Sequence, residues 1–495
     1  MILSYIAASV IVANMFAKTY GWSGNDWAYQ IAQTNDGGFV LQGSTMSIGA
    51  GDPQVLVVRL APDGTPLWTR VYGFSANDWG TGLCIASDGN IISASESAVY
   101  DQGDILITKL SIADGSVMWS RLYRGLDWDG PRRIIPTPDG GFTFISWTES
   151  LTGEDDFAVF HLTSTGDRLW SMYYGGPGQE VPYGIVRTMG DDYLICGHTE
   201  SYGAGGWDMW LVKLSNGGMP LWEKTYGGTG GDSAYAVIEL QDANIMLVGH
   251  TSSFGAAEGD ILVLKLTPTG DVIWARRYGT PADERAYSAA DAGNGIIIAG
   301  TTGSDMLFFK IDYGGGIMWS NAYVLSGTEL AQSVIVCSDN RIACAGHTNS
   351  FGAGGYDVAV IKFGADGLYD NCVNPVNLNQ VSVSVAPMDQ SASAAWAPNE
   401  ESPALSPTSP VPNVNLLCST VASEEHADAT LLFRVMSAPG GFIVSSDAER
   451  QIAFYTPDGR LALSAPIRKG INKVSLQSGL YLWQAGPYRG KAVVK

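Results

Sequence analysis

A tryptophan returns along this chain at a nearly constant interval, and that recurrence limits the folds open to it more than any other feature. The phrase Gly-x-x-x-Trp stands at Gly64–Trp68, Gly115–Trp119, Gly166–Trp170, Gly218–Trp222, Gly270–Trp274 and Gly315–Trp319, with tryptophans 51, 51, 52, 52 and 45 residues apart. A second marker, an aspartate opening an alternating apolar run, falls at Asp52, Asp104, Asp156, Asp208, Asp260, Asp305 and Asp357. Seven markers give seven units, and a fixed period of this length signals a repeat architecture.

Each unit holds four runs of strand length. In the fifth they are Ala234–Leu240, Ile245–Thr251, Asp260–Leu266 and Asp271–Tyr278, separated by Gly, Pro, Asn and Asp turns. Period-two alternation occurs in places and no window sustains a helical period. Four strands in about 50 residues define a β-propeller blade. The expected fold is all-β, with a seven-bladed β-propeller over residues 14–370. The tryptophans are read as packing between blades, where a buried aromatic contributes about 150–250 Å². The last unit reaches Gly367-Leu368-Tyr369 without its tryptophan. Met15 to Gly21 supplies the missing piece, with Phe16 standing 52 residues before Trp68. The N-terminal strand is therefore expected to complete the seventh blade and remove an open sheet edge.

The two ends differ from the repeats. Residues 1–13 are apolar and short and resemble the core of a secretory signal peptide, cleaved near Ala13 or Ala17, although the first basic residue is Lys18. Residues 371–429, rich in Pro, Ser, Ala and Asn, read as a linker. Cys372 and Cys418 bracket it as a candidate disulfide. Cys84, Cys196, Cys337 and Cys344 lie in strand runs, and Cys337 and Cys344 flank a turn as a second candidate pair. No Cys-x-x-Cys occurs, so zinc is not expected. Residues 430–495 return to short strand runs. The segment from 421 onward carries a net +3 against −24 for the first 420 residues. A change of charge sign with a new strand pattern indicates a separate module, expected to be a small Ig-like β-sandwich.

That tail resembles a known family. Tyr455-Thr-Pro-Asp-Gly-Arg460, Ser478-Gly-Leu-Tyr481 and the terminal Lys491-Ala-Val-Val-Lys495 are similar to the C-terminal sorting domain of type IX secretion substrates. The resemblance implies export to the outer-membrane surface or the medium, with the secretion machinery as a partner. The repeat units resemble those of bacterial surface β-propeller proteins, which implies an extracellular scaffold without a shared activity. Gly-x-x-x-Trp also resembles the docking phrase of quinoprotein dehydrogenases, but that family has eight blades and often adjacent cysteines, and this chain has seven units and no such pair.

The net charge of −21 argues against nucleic acid as a partner, because phosphate binding needs a basic face. No apolar run is long enough for a membrane-spanning helix. Three arrangements are candidates for function. The first is an acidic residue before each unit's first strand, at Asp26, Asp78, Asp127, Glu180, Asp232, Glu284 and Glu329. These read as turn-capping carboxylates, with a shared cation such as calcium as the alternative. The second is His198, His250 and His347, in Gly-His-Thr at the end of the second strand, with Ser44, Ser95, Trp147 and Thr301 in the same place elsewhere. Separate blades would hold these histidines apart, so they read as strand-end hydrogen-bonding groups.

The third is where the repeat breaks. The acidic position is followed by Trp27, Trp79 and Trp128, then by Val181, Ser233, Arg285 and Leu330, and Trp22 and Phe74 share the same loops. Aromatic rings beside carboxylates on neighbouring blades suit stacking on a sugar or anchoring a protein; plain loop packing is the alternative. The leading expectation is a non-enzymatic, secreted or surface-attached binding and adhesion scaffold for a glycan or another surface protein, with no cofactor beyond the calcium alternative. The rivals are a propeller-based carbohydrate-active hydrolase and a purely structural spacer. Hydrolysis needs two carboxylates about 5–9.5 Å apart, and no pair stands out from the repeated ones.

Overall fold

The computed structural model describes residues 15–369 except 50, 74–76, 99–102, 151–152 and 256–257. Beyond them it describes 374–390 and a series of backbone strands between 394 and 494. The chain divides into two compact units, one of Met1–Tyr369 with Val373–Leu417, the other of Asp370–Cys372 with Cys418–Lys495.

Blade I runs from 26 to 72 as four consecutive antiparallel strands, Asp26–Gln33, Phe39–Thr45, Gln54–Leu60 and Pro66–Tyr72. Blades II to VI repeat the plan over 78–124, 129–174, 180–226, 232–279 and 284–323. Blade VII has Glu329–Val336, Ile342–Thr348 and Asp357–Phe363, and its outermost strand is Phe16–Gly21, paired from Phe16↔Lys362 to Tyr20↔Val358. The innermost strands touch in series, and the last touches the first. The ring is closed at seven.

The middle strands are apolar throughout because neighbouring blades cover both of their faces; Phe39–Thr45, Asp104–Leu110 and Asp156–Leu162 are buried at every residue. Alternation is left to the outer strands, as in Pro66–Tyr72. The short sixth unit has a simple cause: Ile296–Thr302 and Asp305–Ile311 are joined by Gly303 and Ser304 alone. In the first unit Gln54, not Asp52, opens the third strand, opposite Thr45.

The Gly-x-x-x-Trp phrase is a blade-to-blade contact. Its glycine takes a positive φ, 78° at Gly64 and 85° at Gly166, and at most junctions an aromatic ring of the preceding blade lies on its bare Cα. A Cβ added at Gly64 would stand 2.6 Å from Phe16, at Gly166 2.7 Å from Trp119, at Gly218 2.7 Å from Trp170 and at Gly367 2.6 Å from Trp319. Phe16 thus replaces tryptophan at the closing seam. A tyrosine of the preceding blade also donates to the same glycine's carbonyl: Tyr20 to Gly64 at 2.6 Å, Tyr226 to Gly270 and Tyr278 to Gly315 both at 2.7 Å. Tyr72, Tyr123 and Tyr174 make the equivalent bonds to Gly115, Gly166 and Gly218. Into blade VII the donor is Asn321 Nδ2, 2.9 Å from the Gly367 carbonyl.

The segment read as a linker does more than connect. Its short strands add to the outer edges of successive blades: Asn374–Pro375 on VI, Asn379–Ser382 on V, Met388–Gln390 on IV, Ala394–Ala395 on III, Asn399–Glu401 on II and Asn413–Leu416 on VII. This belt satisfies edge N–H and C=O groups that would otherwise be templates for aggregation. Blade I is a four-stranded sheet. The residues between the last two belt strands, 402–412, contain Pro403, Pro407, Pro410 and Pro412 and lie outside the described residues.

Among the described residues the second unit contains seven strands in two antiparallel sheets. One holds Phe433–Ala438, Gly441–Ser446 and Gly470–Ser475; the other holds Leu461–Ile467, Arg450–Tyr455, Gly479–Ala485 and Tyr488–Val494. Among the described residues no helix is long and apolar enough to cross a membrane.

Candidate functional site

The acidic residue that opens each innermost strand organises the loop before it. Asp26, Asp78, Glu180, Asp232, Glu284 and Glu329 are all buried at that position. In blade III the position belongs to Asp129, not Asp127. Asp129 begins the strand, is fully buried and accepts from Thr148. It also stands six residues after the junction tyrosine, as in every other blade. Asp127 remains in the loop and accepts from the Trp128 N–H at 3.0 Å.

Most of these carboxylates have hydrogen-bonding work within their own blade. Five accept the N–H four residues earlier: Trp22 to Asp26 at 2.8 Å, Gly125 to Asp129 at 3.0 Å, Gly176 to Glu180 at 2.7 Å, and Gly228 to Asp232 and Thr280 to Glu284 both at 2.8 Å. Asp26, Asp129, Glu180, Glu284 and Glu329 also accept a second-strand threonine hydroxyl, at 2.7 Å from Thr199 to Glu180 and 2.9 Å from Thr348 to Glu329. Among the described residues no three acidic, His or Cys side chains converge as a metal would require, so the calcium alternative finds no ligand set there.

Three residues beyond each acid, the innermost strand bulges. The register skips one residue between Ala28 and Gln30, Gly80 and Gly82, Pro131 and Arg133, Pro182 and Gly184, Ala234 and Ala236, Ala286 and Ser288, and Ala331 and Ser333. A bulge leaves one residue unpaired and re-aims it. The seven residues so released are Tyr29, Thr81, Arg132, Tyr183, Tyr235, Tyr287 and Gln332. All seven line one cavity of about 480 Å³, together with Trp79, Glu96 and Arg133. The cavity lies where the seven innermost strands meet.

Its wall is aromatic over three consecutive blades. The Tyr183 and Tyr235 rings are 4.6 Å apart, and Tyr235 and Tyr287 are 5.6 Å apart. The Arg132 guanidinium lies 5.7 Å from the Tyr183 ring centre. Burial raises the phenols of Tyr183, Tyr235 and Tyr287, and lifts Tyr29 to about 12 against the opposing charge of Arg132. They remain protonated donors. Burial pushes the Glu96 carboxyl up to about 7, opposed by Arg132 and reinforced by Asp78. Arg133 is lowered to about 10, also by burial.

Of the expected aromatic residues, the structure brings Trp27 and Trp79 together, with ring centres 5.5 Å apart at 39°. Trp79 lines the cavity. Trp128 precedes the acid of its blade, and Gly130 follows it, so Trp128 reaches the region differently. It leans on Gly103, where an added Cβ would be 2.6 Å from its ring and 2.8 Å from the Glu96 carboxylate. Trp22 is half-buried against the core at the seam between blades I and VII. Phe74, residues 1–13, Cys372 and Cys418 lie outside the described residues.

The position opposite the residue after the acid is held by Ser44, Glu96, Trp147, His198, His250, Thr301 and His347. In blade II it is Glu96, not Ser95, that occupies it. The three histidines stay on separate blades. His198 faces Ser233 at 3.2 Å and stacks on Trp207, His250 lies 3.5 Å from Asp283, and His347 packs edge-on to Tyr356. Cys84, Cys196, Cys337 and Cys344 are buried free thiols. Cys344 faces Val334 across the sheet and Cys337 lies beyond the paired strand, so the expected Cys337–Cys344 bridge does not form.

No family model matches the chain, and no curated protein matches it. Among solved structures it is similar to a protein of unknown function from Dyadobacter fermentans, at 12% identity and a TM-score of 0.39, over 70% of this chain and 98% of that one. It is also similar to a protein of unknown function from Bacteroides caccae, at 13% identity and a TM-score of 0.32, over 53% of this chain and 93% of that one. A third is the polysaccharide lyase Uly1, at 11% identity and a TM-score of 0.45, over 68% and 90% of the two chains. Likenesses this distant carry nothing about ligand or activity.

Proposed function

We propose that this protein is a non-enzymatic binding scaffold and that its ligand, a glycan, enters the axial cavity. The observation that carries the reading is the sevenfold bulge: each blade releases one side chain from its ladder, and the seven side chains line a single pocket. The pocket has the size and mixed lining of a small-molecule site. Four phenols and Trp79 offer flat faces for the apolar sides of sugar rings and hydroxyls for their edges. Thr81 and Gln332 add neutral polar groups. Glu96 is the one carboxylate among the described lining residues, which favours binding over a two-carboxylate hydrolysis.

The same proposal places the protein outside the cell. It takes residues 1–13 as a signal peptide and the two C-terminal sheets as an Ig-like sorting sandwich handled by the type IX machinery, on the strength of the motifs at 455–460, 478–481 and 491–495. A glycan array probed with the purified protein, with product analysis of every bound glycan, tests the function. Binding without turnover, lost in Tyr235→Ala and Tyr287→Ala variants that still melt cooperatively, is the expected result. Released products, or binding indifferent to these variants, would contradict it.

A further inference from the structure

The bulge positions are not equivalent in charge. Six carry Tyr, Thr or Gln, and Arg132 of blade III is the one cation. The next residue, Arg133, also lines the cavity. Two arginines of a single blade therefore line the cavity of a protein whose net charge is −21, and burial disfavours the charge on Arg133. Arg132 makes no ion pair with any described residue, and its Nε is buried without a hydrogen-bond partner. An arginine left in that state is costly unless an anion completes it. Two carboxylates, Glu96 and Asp155, feel the Arg132 charge without reaching ion-pair distance, and burial raises both, Glu96 to about 7.

We infer that the cavity selects sugars bearing a carboxylate, uronic acids above all, and that Arg132 is the group that reads the charge. This rests on the glycan reading above and narrows it. The planar guanidinium offers parallel N–H donors matched to a carboxylate. Tyr183, within 5.7 Å of it, starts the aromatic arc that continues through Tyr235 and Tyr287. A uronate held at Arg132 would lay its ring along that arc. A nucleic acid is disfavoured by the net charge of −21.

The test is calorimetric titration of the full-length protein with trigalacturonate, with its fully methyl-esterified counterpart and with galacturonic acid monosaccharide. The trimer acid should bind roughly tenfold or more tightly than the ester, the worth of a charge-assisted bond pair. Arg132→Gln should bring the acid down to the affinity of the ester, and Arg132→Lys should keep part of the preference. A trimer stronger than the monosaccharide marks a polymer as the source; equal affinities mark the free acid, and either fits. Equal binding of acid and ester by the wild type overturns the carboxylate inference and leaves the glycan reading standing. An acid preference unchanged in a cooperatively melting Arg132→Gln variant also overturns it. Failure of the wild type to bind either trimer, with neutral glycans bound on the array, sinks this inference alone; no glycan bound anywhere sinks both.

Discussion

Tyr20 donates its hydroxyl to the carbonyl of Gly64 at 2.6 Å, across the seam where the N-terminal strand closes the ring. Every other junction but one repeats this bond within continuous chain, so the seam is held by the same device as the interior of the repeat. Gly64 also has Phe16 against its Cα. Gly89 has nearly the same φ, 82° against 78°, but nothing near a would-be Cβ. Gly89→Ala should therefore cost only the left-handed backbone, about 1–2 kcal/mol. Gly64→Ala should cost clearly more, because the ring must move. Thermal melting compares them; equal losses would mean that the aromatic contact contributes nothing.

Removal of the Tyr20 hydroxyl leaves a buried carbonyl unpaired. Tyr20→Phe should lower stability by about 1–3 kcal/mol without changing the fold, as read by denaturant titration. No change would show that the seam is held by strand pairing alone.

The buried acids give stability a pH dependence of defined sign. Burial lifts the Asp129 carboxyl to about 7, against donors from Thr148, Ser150 and Gly125, and lifts Asp208 and Asp357 to about 6; Glu96 rises to about 7. The folded state keeps protons that the unfolded chain has released. This contribution is complete below about pH 4 and is lost as pH rises through 6 to 7. His198 and His347, held down to about 4 by burial, slope the other way between 4 and 6.5. The four carboxyls outnumber them and reach higher. The melting temperature should fall from pH 5 to pH 7.5, and Asp129→Asn should flatten the fall. A rise over that interval would refute the assignment.

The belt predicts a difference between two truncations. A chain ending at Leu417 keeps every belt strand and should stay monomeric in light scattering. A chain ending at Tyr369 exposes the outer edges of six blades and should self-associate as concentration rises. Identical behaviour of the two would show that the edges need no cover.

The ring was legible in the sequence because sevenfold contacts impose sevenfold residues: the junction glycine, the ring that packs on it and the tyrosine that bonds it recur together. Phe16 could be recognised as a stand-in for tryptophan from spacing alone. Asp127 was a misleading choice because its loop holds two acids, and only the six-residue interval from Tyr123 selects Asp129. The cavity was hidden because a bulge decides which residue faces it. Its lining positions recur at the blade period, with Tyr at 29, 183, 235 and 287, but Thr81, Arg132 and Gln332 break the pattern, and a bulge moves the pocket-facing residue two places past Trp27 and Trp79. Glu96 was missed by one residue, although the eighteen-residue interval from Asp26 to Ser44 recurs from Asp78 to Glu96. The belt strands, two to four residues long among prolines, are too short to show any period.

Trp79 lines the cavity while Trp27 braces it from the neighbouring blade. Replacing Trp79 by Ala should weaken glycan binding more than replacing Trp128, in the same titration. A larger loss from Trp128→Ala would shift the contact surface to the rim.

The most direct measurement is the position of trigalacturonate in a crystal of the complex. A carboxylate within hydrogen-bonding reach of Arg132, and a sugar ring over Tyr183 or Tyr235, is the outcome expected. A trisaccharide seated on the outer circumference, with only solvent among the seven bulge residues, would contradict it.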